Sequence, residues 1–447
     1  MDATFPGGSM RKSCPALKAA LLATSAVALC GLWIETAQAG GFAIREQSAQ
    51  FQGSSFAGNA AGGGLSSMYW NPAALGQAGA GFSSESHYSV IFGQAVNTVE
   101  SIEPADGPFQ GIPLPPSLAI PGANPSSGDI APAALVGAGY YAYRLSDRLT
   151  LGMSVNSGFG LSTKPRDIDY AGAELGRTTK LFTINATPTL AYQIAPGITI
   201  AAGVQVQYAN ARLTFGAPFG TSTIFDDGED VAVGGTAGIL FEPVAGTSIG
   251  IGYRSQLTHD LEGDFSTHTQ GGVFRTSASA ELNLPDIVTL SIRQSIAPNM
   301  RLLGTVEWSN WSRFKDLTLP EVGLTVPANW SDGWFFSVGG EYDLNPGMTL
   351  RAGIGYEISP VDDPTKRFTS IPDNDRVWLS AGATVQLTHK LSADIAYTHV
   401  FIENGDFERV GPGSGSIYRG QSEAQVDIFS ASLKWKWGAE APVEPLK

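Results

Sequence analysis

The sequence predicts an all-β chain, a 14-stranded antiparallel transmembrane β-barrel with an N-terminal plug segment. Three observations predict it: the last strand alternates apolar and polar residues up to an aromatic end, short and long connections alternate along the chain, and nothing in its body is fit to be a membrane helix. In Val426-Asp-Ile-Phe-Ser-Ala-Ser-Leu-Lys-Trp-Lys-Trp437, residues Phe429, Ala431, Leu433, Trp435 and Trp437 share one face, and Ser430, Ser432, Lys434 and Lys436 share the other. In a closed barrel each backbone group is satisfied by a neighbouring strand. One face can then meet lipid and the other a wet lumen, with aromatics at headgroup level. Only 15% of the 447 residues are charged and 54 are glycine. No apolar run in the body of the chain reaches the ~20 residues that a membrane-crossing helix needs.

The elements follow in chain order. The one long apolar run, Ala19 to Ile34, comes after Arg11, Lys12 and Lys18 and before Ala37-Gln-Ala39. That is the layout of a secretory signal, so residues 1–39 are expected to be removed and the mature protein to begin at Gly40. Met10 is as good a translation start as Met1. Both cysteines, Cys14 and Cys30, fall in this presequence, and Leu29 is too large for the position before a lipidated cysteine. The mature chain then has no thiol for a disulfide or a cysteine metal site. Cleavage takes three of 27 basic and two of 41 acidic residues, leaving 24 and 39. Such an acidic chain is not expected to bind nucleic acid, where affinity comes from Lys and Arg.

Residues 40–78 do not alternate. They run from Gly40-Gly-Phe-Ala-Ile-Arg-Glu-Gln-Ser-Ala49 through a Gly/Ala stretch to Tyr69-Trp-Asn-Pro-Ala-Ala74. Small residues suit a segment threaded through a lumen, and Arg45 and Glu46 can pair with charges there, so these residues are expected to form the plug. The barrel is expected over 79–437, with a tail at 438–447. Short turns fall at 145–148, 195–197, 242–247, 295–299, 343–347 and 387–390. Longer polar or Pro/Gly-rich segments separate them at 94–131, 161–176, 217–230, 259–272, 318–330, 361–373 and 403–421. Short periplasmic turns and long extracellular loops are how an outer-membrane barrel is laid out.

Period-2 parity assigns the faces. Over 374–388, Val377, Leu379, Ala381, Ala383, Val385 and Leu387 face lipid, and Arg376, Trp378, Ser380, Gly382, Thr384 and Gln386 face the lumen. The same rule puts Arg254, Arg293, Arg301, Glu307, Glu341, Arg351, Arg376 and Asp394 inside. A charge facing hydrocarbon near mid-membrane would cost roughly 2–4 kcal/mol. Two roles stand for these eight: an ion-paired network that hydrates the pore or ties down the plug, or direct contact with a ligand. In the third strand, Asn156, Ser157, Gly158, Phe159 and Gly160 contain two glycines, the mark of a bulge or bend, or else simple filler in a Gly-rich barrel. Phe109, Ile112, Leu114, Leu118 and Ile120 make an extracellular loop apolar, as either a capture surface or a packed lid.

Enzymatic motifs are weak. Gly246-Thr-Ser-Ile-Gly250 matches G-x-S-x-G, but a strand pattern follows it where a nucleophile elbow needs a helix. The five histidines show no metal-ligand spacing, and Asp226-Asp-Gly-Glu-Asp230 lacks EF-hand spacing. We expect no catalytic residue, no cofactor and no metal.

Several segments, in order, resemble the FadL family of outer-membrane hydrophobic-compound channels. Gly41, Phe42, Glu46, Ser48, Gly58 and the triplet Asn71, Pro72, Ala73 are similar to that family's N-terminal hatch. The likeness continues at Asn156 to Thr163, Tyr253-Arg-Ser255, Leu282-Asn-Leu-Pro285, Trp308 to Phe314, and Ile371 to Gly382. The resemblance implies a monomeric, hatch-plugged barrel in the Gram-negative outer membrane, set among lipid and lipopolysaccharide. It implies passive uptake of long-chain fatty acids or, in the TodX-like branch, monoaromatic hydrocarbons. The route it implies is capture on loops, transfer to a lumen pocket, a hatch shift and sideways exit, which we place at the third strand. The alternatives are a general porin or an outer-membrane enzyme. Fatty-acid transporters of the family carry Arg and Lys where this chain has Tyr208-Ala-Asn-Ala-Arg212 and Trp330-Ser-Asp-Gly-Trp334, and parity points Arg212 outward. A carboxylate wants a cation or a cluster of donors, so a neutral hydrocarbon is a serious candidate.

Overall fold

The computed structural model describes residues 41–216, 220–269 and 271–437. The expected signal peptide and C-terminal tail lie outside them. Fourteen antiparallel strands form the wall: β1 (Phe82–Glu103), β2 (Ala134–Arg144), β3 (Leu149–Asn156 and Gly160–Thr163), β4 (Thr178–Ala195), β5 (Ile198–Phe215), β6 (Ser222–Phe241), β7 (Thr247–Arg254 and Leu257–Thr269), β8 (Gly272–Leu284 and Ile287–Ala297), β9 (Met300–Ser309), β10 (Gly333–Asn345), β11 (Met348–Ile358), β12 (Arg376–Thr388), β13 (Leu391–Ile402) and β14 (Ile417–Trp437). Each pairs with its neighbours, and β1 closes on β14 from Phe82–Trp437 up to Glu103–Ile417.

Alternation within the strands sets the two faces. On β14, Phe429 and Leu433 are exposed outward while Ser430 and Ser432 are buried inward. On β12, Leu379 points out and Trp378 is fully buried. Apolar side chains therefore cover the outside, where hydrocarbon is the solvent.

The strands reach further than alternation suggests. β1 runs through 22 residues, although ~9–11 cross a bilayer. Much of 94–131, 217–230, 259–272 and 403–421, expected as loops, is strand: β1 ends at Glu103, β6 starts at Ser222, β7 ends at Thr269, Gly405–Val410 pairs with β14, and β14 starts at Ile417. Above the bilayer the outer face turns polar, as at Asp260, Glu262 and Asp264 of β7. The ladder continues after its hydrophobic signature has ended.

Residues 41–78 contribute no wall strand. They form a short helix (Ala49–Gln52) capped by Ser48, and two 3-10 turns at Leu65–Tyr69 and Pro72–Gln77. Phe51, Phe56, Tyr69, Trp70 and Leu75 pack with inward-facing wall residues such as Tyr140, Phe335 and Trp378 in one buried cluster.

Candidate functional site

The N-terminal segment is held by wall strands all around the lumen. Gln52 donates to the Ile428 carbonyl (3.2 Å), Ser55 to Ser380 (2.8 Å), Gly58 N–H to Thr305 (2.9 Å), Ala60 N–H to Ser291 (3.1 Å), and Asn71 Nδ2 to the Ile239 carbonyl (3.0 Å). Asn71 also caps the Pro72–Gln77 turn by accepting from Ala73 N–H, and Ala73 is fully buried. The wall makes room where it has no side chains. A Cβ on Gly250 or Gly252 would sit 1.8 Å from the carbonyl oxygen of Ala60 or Trp70.

Two charged anchors fix the segment. Arg45 pairs with Glu307 (2.8 Å) and Glu357 (3.2 Å) and lies 3.8 Å over the Phe335 ring. Nearer the periplasmic end, Glu85 accepts from the N–H groups of Leu65 (2.8 Å) and Ser66 (2.9 Å), and His87 Nδ1 accepts from Ala49 N–H (3.1 Å). His87 Nε2 faces Glu85 at 3.2 Å, so its proton belongs on Nε2. Glu46 is buried, and its Oε2 has no hydrogen-bond partner among the described residues. Burial pushes this carboxyl up to about 7, against the pull of its own backbone N–H and of Arg45.

All eight charged residues assigned by parity point inward, and each has a partner. Glu341 gathers Arg293 (2.8 Å), Arg301 (2.7 Å) and Arg351 (2.8 Å). Asp394 takes Lys434 (2.8 Å), Arg376 pairs with Asp373 and Glu357, and Arg254 donates to the Tyr69 carbonyl (3.2 Å) and to Gln205. Sequence reasoning missed Glu85, His87, Glu357 and Asp373, and it placed Lys434 on the inward face without naming its partner Asp394. Parity could have placed the strand residues among them inside; no local signal names their partners.

The third strand breaks at 157–159. Asn156 pairs with Asn185 and Gly160 with Phe182, so β3 holds one residue more than β4 there. On its other side the ladder with β2 stops at Gly139–Val155, and Ala134–Ala138 of β2 pair only with β1. The displaced stretch turns inward, where Asn156 through Gly160 are all buried. It pairs with the start of the N-terminal segment: Ile44 N–H to the Gly158 carbonyl and Gly160 N–H to the Phe42 carbonyl, both 2.9 Å. Gln47 donates to the Ser157 carbonyl at 2.6 Å.

Beside this break lies an apolar cavity of about 90 Å³, lined by Phe42, Leu161, Leu181, Phe225, Leu261 and Phe368 among others. Phe42 is its hub. Its ring centroid lies 4.7 Å from Trp311, 5.6 Å from Phe314, 5.8 Å from Trp330 and 6.4 Å from Phe159. Gly41 N–H is tied to Asp373 at 2.7 Å. The guanidiniums nearby are occupied by loop carbonyls, Arg367 by Asp373 (2.9 Å) and Val361 (3.3 Å), and Arg409 by Pro327 (2.8 Å). Arg212 is exposed and pairs with Asp226 at 3.4 Å. A larger hollow of about 740 Å³, lined by Leu290, Ile292, Val306, Phe336 and Val338, lies on the lipid-facing wall, outside the lumen.

In the loop after β1, Phe109, Ile112 and Leu118 are exposed. Leu114 and Ile120 are packed instead: Leu114 exchanges backbone bonds with Ile102, and Ile120 leans on a buried loop cluster. Ser248 of the G-x-S-x-G match sits on a strand and donates to the Ala61 carbonyl at 2.7 Å, with no elbow beneath it. The acidic run 226–230, expected as a loop, is part of β6.

Comparisons with known proteins agree with this geometry. Residues 32–437 match the family described as outer membrane protein transport protein (OMPP1/FadL/TodX). The chain is similar to the long-chain fatty acid transport protein of Salmonella typhi, 26% identical over 365 residues, covering 72% of this chain and 82% of that protein. Its fold is like that of a Pseudomonas aeruginosa FadL homologue, with a TM-score of 0.78 at 22% identity over 88% of this chain and 99% of the other. It is also like that of the Pseudomonas putida toluene transporter TodX, with a TM-score of 0.64 at 15% identity over 89% and 100%. A match across nearly all the described residues, joined to a closed and internally filled 14-stranded barrel, shows that this chain belongs to the OMPP1/FadL/TodX family of outer-membrane transport proteins.

Proposed function

We propose that this protein is a monomeric, passive channel for hydrophobic compounds, in which residues 41–78 act as a hatch and ligand leaves sideways through the break in β3. The observation that carries this reading is the junction of three features: the displaced 157–159 stretch, the hatch backbone paired to it, and the apolar cavity around Phe42. An apolar solute gains little from a water-filled pore, and lipopolysaccharide holds it back from the bilayer. Exposed Phe109, Ile112 and Leu118 give it a first apolar contact above that layer. Ligand entering the cavity competes with Phe42 for space, which strains the Phe42 and Ile44 hydrogen bonds to β3. Shifting them opens a path to the unpaired edge of β2 and the surrounding lipid. A general porin would need an open lumen, and here the lumen is filled by 41–78.

The substrate follows from the lining. A space of 90 Å³ is smaller than the ~150 Å³ apolar cavity that holds benzene, so the site must widen for any ligand. The lining is apolar but for Thr179, Lys180 and Ser370, and the neighbouring guanidiniums are engaged with backbone carbonyls, which favours a neutral hydrocarbon. The similar proteins named for long-chain fatty acids support the second reading, a carboxylate that recruits Arg367 or Arg409 once the hatch moves. Uptake of labelled toluene and of a labelled long-chain fatty acid, by cells lacking their own transporters, decides between them. Uptake of neither, with the protein present in the outer membrane, would end the proposal.

A further inference from the structure

We propose that the wall contains a second lateral passage, between β6 and β7, joining the apolar cavity to the outer leaflet. It rests on the transport reading above. The β6–β7 ladder runs up to Thr236–Arg254, and Ser255 N–H still reaches the Gly235 carbonyl (2.8 Å). It resumes only at Glu229–Glu262. Between these points residues 230–234 face 256–261 without a cross-strand ladder, an interruption as tall as the one in β3.

Side chains fill the opening. Gly234 stands on the β6 side with Leu257 of β7 against it, Leu257 Cδ2 being 2.7 Å from where a Cβ on Gly234 would be; just above the gap, Leu261 Cβ is 3.4 Å from one on Gly228. Leu257 and Leu261 are each 2% exposed, and His259 between them is fully buried. His259 Nδ1 reaches across to Asp230 at 2.9 Å. Opening this patch takes rotamer changes of the leucines and release of the His259–Asp230 contact, whereas a ladder must lose a run of backbone hydrogen bonds.

The inner mouth is apolar, and so is the β6 side of the outer one. Leu261 and Phe225 line the lumen cavity, and outside, Val231 and Val233 are among the most exposed apolar side chains of the wall, at 57% and 67%. On the outside the β6 rim is thus apolar, Thr258 and Asp260 face outward on the β7 rim, and Glu229 and Glu262 lie just above, so the passage opens at the upper edge of the hydrocarbon. Its traffic is a compact apolar molecule exchanging between cavity and outer leaflet.

Two measurements test it. Deleting Gly158 removes the extra residue of β3 and seals that break. In this background, uptake of whichever labelled compound the unaltered protein takes up, toluene or the fatty acid, should persist in part. It should rise several-fold with Leu257→Ala plus Leu261→Ala and vanish with Gly234→Leu. Loss of all uptake in the sealed protein, unrelieved by the two alanines while the barrel is present at normal level, would overturn the second passage but leave the transport reading intact. Independently of transport, Leu257→Cys, at the lower end of the gap, in a protein with Cys14 and Cys30 replaced by serine should react with a bilayer-soluble maleimide and not with a sulfonated, water-soluble one. Protection from the bilayer-soluble reagent would also overturn it.

Discussion

Arg45 makes the buried ion pairs that tie residues 41–78 to β9 and β11. Removing one member of a buried pair leaves an uncompensated charge at a cost of about 3–5 kcal/mol, and here Glu307 would lose its cation while Glu357 keeps only the longer contact to Arg376. Arg45→Ala should therefore free residues 41–56 while the wall stays closed, seen as new protease cleavage within that stretch and unchanged heat resistance of the barrel. Glu46 acts with opposite sign on the pH axis. Its carboxyl is raised from 4.5 to about 7 in the folded state, so the folded hatch prefers the proton. Its contribution is fully present below 4.5 and is lost as pH rises through about 7. Hydrogen exchange of the 42–53 amides should show protection falling across that window, and Glu46→Gln should flatten the profile; identical profiles would count against this. Parity made the eight inward charges legible because a charge on the lipid side is so costly. Their partners were not legible, since Arg45 meets Glu307 across 262 positions of sequence.

At the level of elements, the hatch and the wall are shaped against each other. Gly250 and Gly252 leave the carbonyls of Ala60 and Trp70 nowhere else to go, so Gly252→Ala should push the hatch off β7 with little effect on strand pairing. Vesicles carrying Gly252→Ala should pass small ions that the unaltered protein holds back; equal permeability would show that the hatch adapts. In the sequence Gly252 reads only as Gly-rich composition and Gly250 only as the end of a chance G-x-S-x-G match, because alternation marks which face a residue takes and not what lies against it. Strand extents failed for a related reason. β7 keeps its register with β8 through Thr269, but its outward residues above the bilayer are charged, and in sequence a charged stretch reads as loop. The break in β3 was legible through its glycines; the one between β6 and β7 was not, since its filling leucines keep the ordinary pattern.

For the whole molecule, closure of the wall does not involve the hatch: every barrel ladder lies within residues 82–437. Deleting 41–78 should give a barrel that still assembles but conducts ions steadily in planar bilayers, with Glu85 and Glu307 now lining open water. A deletion that abolished assembly would mean that the lumen charges need their hatch partners to fold. The seam has a consequence for how the protein is made. The longest ladder, β1 with β14, joins the first strand synthesised to the last, and contacts so distant in sequence form slowly. A chain stopped between residues 104 and 416 contains all 22 residues of β1 but not the strand that pairs its second edge. Nascent and truncated chains are thus open to chaperones, proteases and one another until the final strand arrives, and only a complete translation product can hide that edge.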